Sequence, residues 1–188
     1  MRLIRTETHI PPGGHHCSGS VWYMSEPAWN SKQDLPKLIA SILVCFVAAA
    51  IGSIFTTPRI PGWYAGLAKP WFAPPNWVFG PVWTTLYFLM GIALFLVWRR
   101  GLEKPEVRQG VILFAVQLGF NVAWSWLFFG FQSPLAGFVC IVILWVLILA
   151  TLVRFWTISR TDGALLIPYL LWVTIATGLN YGIMVLNP

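Results

Sequence analysis

The chain has 188 residues, of which 57% are hydrophobic, 16% aromatic and only 10% charged, against about 25% charged in an average soluble domain. Such a composition excludes a soluble globular fold, because the polar surface is too small to cover the apolar side chains. The net charge of +6 lies outside long uncharged runs, so it reads as membrane topology and not as a nucleic-acid surface.

Residues 1–34 contain Gly, Pro, Ser, both signs of charge and all three histidines. They hold no long apolar run, so they are not a secretory signal and the first span is uncleaved. His9, His15, His16 and Cys17 are residue types that ligate zinc or copper. The composition around them is that of a disordered leader, or of an over-extended start ahead of Met24. The folded domain is expected over residues 35–188.

Four stretches beyond the leader carry no charge: Leu38 to Pro58, Pro70 to Trp98, Gln109 to Val153 and Gly163 to Pro188. About 20 apolar residues cross a hydrocarbon core roughly 30 Å thick, so the first, second and fourth stretches each hold one span. The third is 45 residues long and holds two. Its break is Gly130-Phe131-Gln132-Ser133-Pro134, where Gly ends one helix and Pro starts the next. The predicted spans are Leu38 to Phe55, Phe79 to Trp98, Val111 to Phe129, Pro134 to Phe155 and Ala164 to Leu186. Backbone groups in lipid must be satisfied internally, and no alternating strand pattern occurs. The expected fold class is an all-α bundle of five transmembrane helices.

Threading five spans places Arg2, Arg5, Lys32, Lys37, Arg99, Arg100, Lys104, Arg108, Arg154 and Arg160 on the N-terminal side, and only Arg59 and Lys69 on the other. The positive-inside rule then predicts an N-in, C-out orientation, which fits a prokaryotic cell membrane best. Arg99, Arg100 and Arg154 fall at span ends, where long side chains snorkel. No span interior holds an ionisable Asp, Glu, Lys, Arg or His, which argues against an ion channel or proton-coupled transporter. Cys45 and Cys140, within spans, read as small apolar packers.

The segment from Pro58 to Pro81 holds six of the fourteen prolines and three of the twelve tryptophans. Prolines lower the entropy lost on ordering and aromatics supply area to bury, so this segment is expected to be an ordered lid over one end of the bundle.

Polar residues inside the spans are few and regularly spaced. Gln117, Asn121 and Ser125 repeat every four residues beside Trp124 on the third span, and should face the bundle interior. Phe79, Trp83 and Tyr87 repeat likewise on the second span, as do Trp172, Ala176 and Asn180 on the fifth. Convergence of these faces predicts a cavity with aromatic walls and orienting amides, and leaves the first and fourth spans as scaffold. Ala115, Gly119 and Ala123 lie about 200° around the third helix and form a small-residue stripe suited to a dimer contact. Gly178 and Gly182 offer a rival contact on the fifth.

Several of these stretches carry a family likeness. Trp63-Tyr64, Leu67-Ala68-Lys69-Pro70-Trp71, Pro74-Pro75 and Trp77-Val78-Phe79-Gly80-Pro81-Val82-Trp83-Thr84-Thr85-Leu86-Tyr87 resemble the signature of the translocator proteins, also called tryptophan-rich sensory proteins or peripheral-type benzodiazepine receptors. Gln117 to Ser125 and Pro168 to Asn180 agree with it, and the likeness covers residues 35–188. The resemblance implies binding of porphyrins, including haem precursors, and of other hydrophobic ligands, for sensing, transport or sequestration. It implies lining residues at Trp63, Tyr64, Trp83, Asn121, Trp124, Trp172 and Ala176, no required cofactor, lipid and a second copy as partners, and no nucleic acid. With no histidine beyond His16, recognition should be of the porphyrin ring more than of its metal. An alternative is an enzyme promoting light- or oxygen-dependent porphyrin breakdown with electrons from Trp83 or Trp172. Another is a lipid- or sterol-binding scaffold, although the sterol motif is incomplete: Leu179 and Tyr181 are present, but no Lys or Arg follows Arg160.

Overall fold

A computed structural model describes residues 30–187. His9, His15, His16, Cys17 and the rest of the leader before Asn30 lie outside that range. The described residues form five helical spans.

The first helix, α1 (Ser31–Thr56), begins within the stretch read as leader. Its start is capped reciprocally. The Asn30 side chain accepts from the Lys32 amide at 3.2 Å, and the Asp34 carboxylate accepts from the Asn30 amide at 2.9 Å, which satisfies donors that the helix itself leaves open. Pro58 and Pro61 do not end the span as expected. Each lacks an N–H and crowds the carbonyl one turn back. The chain responds by tightening into a 3₁₀ turn at Thr57–Arg59 and widening into a π turn at Ile60–Tyr64. The first span is thus continuous from Ser31 to Tyr64, and its 34 residues far exceed the roughly 20 that a bilayer requires.

Helix α2 (Asn76–Trp98) begins before Pro81, so the predicted lid is helical at both ends and only residues 67–75 are loop. Helix α3 (Pro105–Ser125) closes with a π turn at Trp126–Gly130. Gln132 adopts a positive φ of 54°, and Ser133 caps α4 (Pro134–Ile158) by accepting from the Ala136 amide at 3.2 Å. The break inside the long uncharged run falls where the Gly and Pro pattern places it. A short helix α5 (Arg160–Ala164) leads into α6 (Ile167–Leu186), which together make the fifth span.

Helix α1 packs on α2 and α3, α3 on α4, and α4 on α6, with lighter contact between α6 and α2 closing the ring. Small residues let backbones approach. A Cβ placed on Gly91 of α2 would stand 2.9 Å from Cα of Ile42 on α1. At the loop end, a Cβ on Gly182 would meet Pro70 at 2.9 Å, and one on Gly178 would touch Phe72 at 3.9 Å. The loop therefore packs against the Gly178–Gly182 face of α6. Asn187 fastens the same loop: the Ala68 amide donates to its Oδ1 and its Nδ2 donates to the Ala68 carbonyl, both at 3.0 Å. Lys69 Nζ donates to the carbonyls of Ala65 and Leu67 and lies 4.7 Å from the centre of the Tyr64 ring.

The opposite end is held by charge. Arg99 pairs with Asp34 at 3.1 Å, and Arg100 with Asp162 on α5 at 3.2 Å. Their burial corrects the snorkelling expectation for Arg100, whose side chain is 2% exposed against 0% for that of Asp162. Removing one partner of a buried ion pair costs far more than replacing both. Asp162→Ala is expected to lower stability by about 3 kcal/mol, and Arg100→Met combined with Asp162→Leu to recover most of it. Reversible denaturation in detergent micelles measures both.

Candidate functional site

A cavity of about 450 Å³ lies between the first three spans. From α1 come Phe46, Ala49, Ala50, Gly52, Ser53 and Thr56, and from the turns beyond it Thr57, Ile60 and Tyr64. Their spacing of three and four residues makes one helical face, and its small side chains are what leave the space. Helix α2 supplies Asn76, Phe79, Gly80, Trp83, Thr84 and Tyr87, again one face. The third wall is Asn121, Trp124 and Ser125, with Phe129 from the π turn. Ala50, Ser53, Gly80 and Thr84 are also exposed on the outside of the bundle, so the cavity opens sideways between α1 and α2.

The back wall is a hydrogen-bonded network. Tyr87 donates to Asn121 Oδ1 at 2.5 Å, Asn121 Nδ2 donates to the Tyr169 hydroxyl at 2.9 Å, and Tyr169 donates to Gln117 Oε1 at 3.1 Å. Nearby, the Trp124 indole donates to Asn180 Oδ1 at 3.1 Å, and Asn180 Nδ2 donates to the Pro134 carbonyl at 2.8 Å. The Gln117, Asn121 and Ser125 face is buried as its spacing requires. Around the mouth, Ser53, Thr56 and Thr84 donate to carbonyls of their own helices and present only oxygen lone pairs. The buried Tyr64 hydroxyl finds no hydrogen-bond partner among the described residues. Those residues include no group of three or more His, Cys, Asp or Glu arranged to hold a metal.

Of the residues singled out in the sequence, Tyr64, Phe79, Trp83, Tyr87, Asn121, Trp124 and Ser125 border the cavity. Trp63 stands behind it, edge-on to Phe128 at 5.3 Å and Phe129 at 6.2 Å. Trp172 is one ring removed, 5.7 Å from Phe79, and Ala176 is packed in the main core. Helix α1, read as scaffold, is instead a full wall. The signal that reveals it is Ala49, Ala50, Gly52 and Ser53, a cluster of small residues that together face the cavity. Of the sterol-motif residues, Leu179 is buried and Tyr181 exposed, so they occupy different faces of α6.

The profile of the TspO/MBR family matches residues 41–186. The chain belongs to that family. Tryptophan-rich protein TspO of Chlorobaculum tepidum is 47% identical over 151 residues, covering 80% of this chain and 96% of that protein. Protein CrtK of Rhodobacter capsulatus is 39% identical over 147 residues, covering 78% and 89%. The human Translocator protein is 40% identical over 146 residues, covering 76% and 83%. The TspO/MBR match takes in every residue that lines the cavity, whereas Asp34, the partner of Arg99, precedes it.

Asn121 serves two tyrosine hydroxyls at once, so Asn121→Ala is expected to destabilise the ligand-free protein by about 1–3 kcal/mol. Gln117→Leu, which leaves the Tyr87 bond intact, should cost less. Thermal unfolding of the purified variants without ligand makes the comparison.

Proposed function

We propose that this protein is a membrane binding protein for tetrapyrroles, porphyrins and haem precursors among them, and for similar flat hydrophobic molecules. The observation that carries the reading is the cavity itself. Trp83, Trp124, Phe79 and Tyr64 offer aromatic faces and edges, while Asn121 offers a polar group to orient a guest. Its volume of about 450 Å³ lies within the usual range for small-molecule sites. The sideways opening suits a guest that partitions into lipid. Occupancy alone, with sensing, transport or sequestration as its consequence, needs no catalytic group.

A second reading is light- or oxygen-dependent breakdown of the bound porphyrin, and the position of Trp83 in the wall favours it. Incubation with protoporphyrin in darkness and in light distinguishes the two: stoichiometric quenching supports binding alone, whereas turnover with loss of the Soret band supports breakdown. For the binding reading, Trp83→Ala is expected to weaken protoporphyrin affinity by at least about tenfold, as loss of a buried aromatic anchor does. Titration of tryptophan fluorescence reads it, and unchanged affinity would sink the cavity as the site.

The proposal also makes the protein a homodimer through α3, oriented with its basic end inside a prokaryotic cell membrane. Ala115 and Gly119 are exposed, and a Cβ on Gly119 would meet nothing within 4 Å in its own chain. Gly119→Leu is therefore expected to leave the monomer's thermal stability unchanged and to shift a dimer to monomer in light-scattering measurements of the purified protein.

A further inference from the structure

On the outer wall, between the end of the first span and the turn joining α3 to α4, lies a separate notch of about 210 Å³. Ile54, Phe55, Arg59, Trp126 and Phe131 line it. The aromatic rings form a shelf, with Phe55 to Trp126 at 6.5 Å and Trp126 to Phe131 at 4.8 Å between centres. Phe131 belongs to the short turn between two spans, which must lie where hydrocarbon gives way to headgroups. The notch therefore sits at headgroup depth on a surface that lipid covers.

No carboxylate among the described residues stands beside Arg59. Among the described residues the acidic side chains are Asp34, Glu103, Glu106 and Asp162, all at the opposite end of the bundle. Lys69, the other cation at this end, is turned inward to the carbonyls of Ala65 and Leu67. A guanidinium forks two N–H groups onto a phosphate, and an aromatic shelf beside it takes an acyl chain. We infer that the notch binds one anionic phospholipid, with its phosphodiester on Arg59 and an acyl chain along Phe55, Trp126 and Phe131. This site is separate from the cavity and does not depend on what the cavity holds.

Native mass spectrometry of the full-length protein, released from detergent with phosphatidylglycerol or phosphatidylcholine added, tests the assignment. The wild type is expected to retain one phosphatidylglycerol with about fivefold preference over phosphatidylcholine, the effect of one cation near the surface. Arg59→Gln should abolish the preference and leave phosphatidylcholine retention unchanged, whereas Phe131→Ala should weaken both. Arg59 and Phe131 are exposed, so both variants should melt with the wild type, which a thermal scan of the same samples verifies. Undiminished preference in Arg59→Gln would overturn the inference. So would displacement of the lipid by millimolar inorganic phosphate, which would mark a free-anion site, or its loss on dimer formation, which would mark a contact between copies.

Discussion

Inside a bilayer an amide without a protein partner has no water to turn to, and much of this architecture follows from how that requirement is met at Asn121. Its oxygen accepts from Tyr87 on α2 and its nitrogen donates to Tyr169 on α6, so one side chain sets the rotation of three helices. Asn180 extends the arrangement by joining the Trp124 indole to the first residue of α4. The helices so bonded are α2, α3, α4 and α6. Helix α1 takes no part in this network. It lines the cavity with Ala49, Ala50, Gly52 and Ser53, and the cavity is the space those small side chains leave beside a rigid polar wall.

The two ends of the bundle are held by opposite means. At the basic end, buried carboxylates from α1 and α5 neutralise consecutive arginines after α2. At the other end, residues 67–75 are fixed by proline packing, a two-way amide clasp and a lysine folded onto its own loop. Trp71, 96% exposed, is the part of that loop left facing outward. A loop pinned at so many points is a roof more than a door, which agrees with an opening through the side wall.

Most of the fold was legible in the sequence because spans are governed by one requirement, continuous apolar length, and charge marks its limits. The Gly130 to Pro134 break was legible for a related reason: Gly and Pro act through local backbone geometry that no tertiary contact reverses. Pro58 and Pro61 show where that logic fails. Their local effect was altered turn geometry and not termination, because the helix could shift its hydrogen-bonding register around each ring. Within the cavity, Tyr64, Trp83, Asn121 and Trp124 could be picked out because aromatics and amides are conspicuous at membrane depth. The α1 wall went unread because its contribution is absence of bulk, and alanine, glycine and serine look the same whether they make room for a neighbouring helix or for a guest. Arg100 was misplaced for want of one fact, that Asp162, distant in sequence, comes to lie beside it.

The meeting of Gly91 with Ile42 has a mechanical meaning for the cavity. Gly91 is eight residues from Trp83, about 12 Å along α2 at 1.5 Å per residue. The two helices pack along an extended seam, and the side chain at the closest approach of their backbones influences how far apart they stand further along it. The separation of α1 and α2 near Trp83 is therefore sensitive to a glycine that does not line the cavity. A larger side chain at residue 91 would meet the α1 backbone and change the width of the cavity while every lining residue stayed the same.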